Sequence, residues 1–137
     1  MTRVHAVLHA IAVAGALTLT GAAPSRALDL TGAWATDMAV CNKVFAKKGG
    51  AVSFKKDSEL HGSGFIIEGD RIRGPVAQCT IKSRKEDGAV IHLLAACASD
   101  IMLSSVQFTV MAVDDNTLTR VFPGMEGMEV SYHRCRF

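Results

Sequence analysis

From Val52 to the C-terminus the chain advances in short runs of two-residue period, each closed by turn-forming residues. Val52 and Phe54 alternate with polar neighbours, Val106, Phe108, Val110 and Ala112 give the cleanest alternation, and Val130 and Tyr132 share one face of the final run. Side chains on a strand point to opposite faces in turn, so a chain written this way buries one face of an antiparallel sheet. Gly69-Asp70, between Phe65–Glu68 and Arg71–Arg73, suits a tight hairpin. Glu86-Asp87-Gly88, Asp114-Asp115-Asn116 and the longer loop Pro123–Gly127 close later runs.

These breaks predict strands at Leu30–Thr36, Val76–Lys85, Ala89–Cys97, Thr117–Phe122 and Glu129–Arg136, besides those above. Gly74-Pro75 is expected to kink the Val76 strand or to place it at an edge. Ala89–Cys97 is apolar on both faces, as in a strand covered on both sides or one packed on a helix. Ahead of the alternation, Thr36 or Asp37 caps a short helix reaching Lys48; Val40, Val44 and Phe45 recur at helical spacing, and Gly49-Gly50 ends it. The fold class is therefore all-β and mainly antiparallel: a small meander barrel of about eight strands with one short N-terminal helix. A barrel is preferred to a sandwich because sequential hairpins wind into one closed sheet without exposed edges.

Thr2 and Arg3 lead into an apolar run, Val4–Leu19, which exits through small residues at Ser25-Arg26-Ala27. This reads as a signal peptide spanning residues 1–27. His5, His9, Thr18 and Thr20 leave the run short of the roughly 20 apolar residues of a membrane span. Residues 28–137 then form a single domain, periplasmic or extracellular, with no membrane attachment after cleavage. Its removal takes Arg3 and Arg26 and no acid, which balances the 15 Lys+Arg and 13 Asp+Glu of the whole chain. A neutral mature protein offers no electrostatic case for nucleic acid as partner.

Export gives Cys41, Cys79, Cys97 and Cys135 their meaning. No two have the separation of a thiol oxidoreductase or zinc knuckle, so they are expected to form two disulfides. If the turn near Asp87-Gly88 joins the strands holding Cys79 and Cys97, those two face each other once one extra bulged residue corrects the register. Cys79–Cys97 with Cys41–Cys135 is favoured; the rival, Cys41–Cys79 with Cys97–Cys135, follows from two equal intervals.

The opening strand Leu30-Thr31-Gly32-Ala33-Trp34 resembles the glycine-x-tryptophan start of lipocalin-like barrels (calycins). The resemblance implies that Trp34 closes one end of a barrel and that Arg134, or Arg120, packs over its ring. A similar opening with a disulfide occurs in small periplasmic protease inhibitors of bacteria. "DLTGAWATD", "CNKVF" and "YHRC" also resemble stretches of uncharacterised exported bacterial proteins.

Among other candidates, Arg71, Arg73, Lys82 and Arg84, joined by Lys85, alternate along two successive strands as a possible basic strip, suited to an acidic partner or to solubility alone. Met125 and Met128 lie in a glycine-punctuated loop, where they either fill the core or meet a partner. His61, His92 and His133 have no metal-ligand spacing, and Ser63 lacks the context of a nucleophile elbow. With no nucleophile, acid–base pair, metal set or cofactor cradle, the chain reads as a non-enzymatic protein. It is expected to bind or inhibit another exported protein; the alternative is a small-ligand carrier, which needs a hollow barrel, whereas six Phe, one Trp and one Tyr on several short strands predict a filled one. An enzyme built from His92, His133 and an acid is the third reading.

Overall fold

A computed structural model of the chain describes residues 27–137, so the segment read as a signal lies almost wholly outside the described residues. β1 (Gly32–Ala35) leads into a turn of 3-10 helix at Met38–Val40, capped by the Asp37 carboxylate on the Ala39 N–H, and then a one-turn helix α1 (Cys41–Val44). A hairpin of β2 (Phe45–Lys48) and β3 (Ala51–Phe54) follows. The chain continues through β4 (Gly64–Glu68), β5 (Arg71–Arg73), β6 (Ala77–Asp87), β7 (Val90–Ser99), β8 (Leu103–Asp114), β9 (Thr117–Val121) and β10 (Glu129–Arg134). β1 and β4 to β10 pair antiparallel in chain order, and β10 returns to β1, closing an eight-stranded meander barrel.

The helix is shorter than the sequence predicts. Val44 and Phe45 are adjacent and both 1% exposed, whereas consecutive helical residues point about 100° apart. Turning extended at Phe45 sends its ring onto Gly64 of β4, and Gly49-Gly50 becomes a hairpin turn in place of a helix stop. A Cβ on Gly64 would stand 2.8 Å from the Phe45 ring and 2.7 Å from the Trp34 carbonyl oxygen, so only glycine admits this packing.

Two apolar cores result. One lines the barrel interior, with Trp34, Ile67, Ile72, Ile91, Leu93 and Leu118 among its members. The other lies outside it, where α1 and the β2–β3 hairpin cover Ala33, Ala35 and Ile66. β7 is not covered on both sides: Ile91, Leu93, Ala95 and Cys97 face in, while Leu94, Ala96 and Ala98 are exposed, because the helix packs on β1 and β4 instead. Nor is β6 an edge, since it pairs with both β5 and β7. Pro75 and Val76 form the connection, closed by Gly74 N–H donating to the Ala77 carbonyl.

Cys79 bridges to Cys97 and Cys41 to Cys135, and no described cysteine is free. The β6–β7 turn is Gly88-Ala89, one residue beyond the turn expected, with Asp87 opposite Val90. Continued unbroken, that register would set Cys79 against Ala98. A bulge between Ile81 and Ser83 shifts it by one, and Cys97 becomes the direct partner of Cys79. The second bridge ties α1 to the residue after β10, fastening the outer layer to the seam where the barrel closes.

Candidate functional site

The two ends of the barrel differ. At one end the segment before β1 crosses the opening, with Leu30 buried beneath it and the indole N–H of Trp34 donating to the Leu30 carbonyl at 2.9 Å. Arg134, directly opposite Trp34 in the register, sets its guanidinium 4.3 Å from the centre of the Trp34 ring. From there it donates to three carbonyls, Asp29 at 2.7 Å, Asp115 at 3.0 Å and Thr31. Gly32 has φ +133°, and a Cβ there would meet the same guanidinium at 3.2 Å, which accounts physically for glycine two residues before the tryptophan. Arg84 adds a bond to the Leu28 carbonyl at 2.7 Å. The Asp29 carboxyl is held below the usual carboxylate range, chiefly by the Thr31 backbone N–H and hydroxyl, with Arg134 and Arg84 adding attraction.

The other end is open. A cavity of about 220 Å³ enters the barrel there, running from Ser63, Gly64, Gly74 and Ala77 down to Leu30. Its wall is almost wholly apolar, formed by Ile67, Ile72, Leu93, Val110 and Leu118 with the aromatic rings of Phe65, Phe108 and Tyr132. A filled interior is the sequence expectation that this cavity corrects. Small residues at the inward positions of the mouth leave space that the few large side chains below do not reach.

One cation stands in that wall. Arg120 follows Leu118 by two on β9 and so faces inward; it lies over Phe108 at 4.8 Å and over Phe122 at 4.6 Å. It is not the arginine over Trp34, the alternative the sequence left open, because β9 carries it toward the open end. Half-buried, its side chain makes no ion pair among the described residues. Sequence reasoning missed this role, although the signal was present: a charge at an inward position of a period-two run.

These basic residues do not form one strip. Arg71 and Arg73 flank buried Ile72 on the outer face, where Arg73 pairs with Glu68 at 3.0 Å and bonds the Val52 carbonyl at 2.9 Å, fastening the β2–β3 hairpin. Lys82 is the bulged residue, and beyond it the faces of β6 exchange. Arg84, opposite inward-facing Leu93, therefore belongs to the barrel's closed end, where it also pairs with Glu86. Met125 and Met128, each 52% exposed, sit in the β9–β10 loop at the open end and do not fill the core. Ile101, 92% exposed, lies in the β7–β8 connection, Leu103, 84% exposed, opens β8, and Val76 precedes β6, all at that same end.

His92 lies on β7 with its Nδ1 3.2 Å from the Thr109 hydroxyl, and His133 lies on β10 opposite Ala35. β8 and β9 separate them, so the structure does not bring these two histidines together. Among the described residues no cluster of three His, Cys, Asp or Glu side chains has metal-site geometry. No protein family, curated protein or solved structure matches the chain.

Proposed function

We propose that this chain is an exported, non-enzymatic binding protein that carries a small, largely apolar molecule in the lumen of its barrel. The observation that carries the reading is the apolar cavity, open at one end and sealed at the other by Trp34 and Arg134. A concave, mostly apolar wall with few polar groups is the usual form of a small-molecule site. The Gly32–Trp34 opening, which resembles that of lipocalin-like barrels, and the count of eight barrel strands support it further. Export is supported by the Val4–Leu19 run with its small-residue exit and by the two disulfides, which suit an oxidising compartment. The fluorescence of N-phenylnaphthylamine tests the proposal: it should rise on mixing with the protein and fall on adding n-octanol. Ala77→Trp, which blocks the mouth, should abolish the rise while leaving the far-UV circular dichroism intact. A signal unaffected by Ala77→Trp would reject the lumen as the site.

A second reading, a module that occludes another exported protein, is favoured by the apolar tips Val76, Ile101 and Leu103. It expects a specific periplasmic protein to co-elute with the wild type and to be lost with Ile101→Asp.

A further inference from the structure

We infer that the lumen selects an amphipathic anion, with its acidic head held by Arg120 at the mouth and its apolar tail in the cavity below. The inference rests on the carrier reading and adds the class of ligand. Arg120 occupies an inward position between Leu118 and Phe122, where the two-residue pattern otherwise places apolar side chains. Arg120 is half-buried at the mouth of an apolar wall, and its usual protein partner is absent: Glu126 and Glu129, on the adjoining loop and strand, are exposed and form no ion pair with it. The register supplies the reason for Glu129. Val130, not Glu129, is the partner of Arg120, so the carboxylate belongs to the outer face of β10.

The guanidinium lies over the rings of Phe108 and Phe122. A ring contact occupies no oxygen or nitrogen acceptor, so the five N–H donors of the guanidinium can serve an incoming one. A carboxylate there receives charge-assisted bonds, and a chain attached to it passes down toward Val110, Leu93 and Leu30.

The experiment compares octanoate with n-octanol, probes of one chain length that differ in head-group charge, by isothermal titration calorimetry at neutral pH. Wild-type protein should bind octanoate about tenfold or more tighter than n-octanol, as expected of a charge-assisted bond. Arg120→Met keeps an unbranched stem, so it should bind n-octanol as the wild type does and lose the preference; Arg120→Lys should retain part of it. Equal wild-type affinity for the two probes overturns the inference and leaves the carrier reading standing. A preference that survives in Arg120→Met also overturns it. If neither probe binds to natively folded wild type, the carrier reading itself fails.

Discussion

The Arg134 guanidinium lies 4.3 Å from the Trp34 ring centre, and the two residues are direct partners across the β10–β1 seam. The last barrel strand is thereby fastened to the first through a ring with no solvent exposure. Because the same guanidinium also holds the carbonyls of Asp29 and Thr31, the seam and the end plug form one structure. Trp34→Ala should lower the unfolding free energy by about 3–5 kcal/mol and Arg134→Met by about 2–4 kcal/mol. In the double variant the losses should fall short of additive, as urea unfolding of all four proteins will measure; strict additivity would contradict the coupling.

Gly64 is fixed by a contact instead of a turn. With the Phe45 ring and the Trp34 carbonyl already inside the space a methyl group needs, Gly64→Ala should destabilise the fold by about 1–3 kcal/mol. Phe45→Leu in the same chain should recover part of that loss in thermal unfolding.

The disulfides close loops of very different length, with sequence separations of 94 for Cys41–Cys135 and 18 for Cys79–Cys97. On the chain-entropy account these contribute about 4.5 and about 3 kcal/mol. Replacing Cys41 and Cys135 by serine should therefore cost more than replacing Cys79 and Cys97. Non-reducing peptide mapping should recover Cys41 joined to Cys135; a peptide joining Cys97 to Cys135 would be incompatible with the structure.

Asp29 gives the closed end a pH dependence. Its folded-state pKa is lowered, so the stability it contributes is fully present above the ordinary carboxylate value near 4. That contribution is lost as the pH falls through the lower folded value. Chemical denaturation should show wild type more stable than Asp29→Asn at neutral pH, with the difference shrinking to zero in acid. A difference independent of pH would remove the carboxylate from this role.

The sequence alone determined the class of fold, because a two-residue period broken by turn residues is a local property that only an antiparallel sheet satisfies. It also led to the favoured disulfide pairing, since counting residues from a turn predicts which cysteines meet once a bulge is allowed. Lengths and faces were decided by tertiary structure. Val40, Val44 and Phe45 fit a helix by spacing, yet the chain leaves the helix at Phe45 because Gly64, distant in sequence, offers a socket for its ring. The bulge at Lys82 reversed the faces of β6 and moved Arg84 from a supposed outer strip to the closed end. Which arginine meets Trp34 was likewise undecidable from the chain: Arg120 and Arg134 both lie on late strands, and only the barrel's closure sets Arg134 opposite the tryptophan and Arg120 in the wall of the lumen. The cavity depends on how far side chains from eight strands reach toward a common axis, and that distance exists only after the sheet has closed.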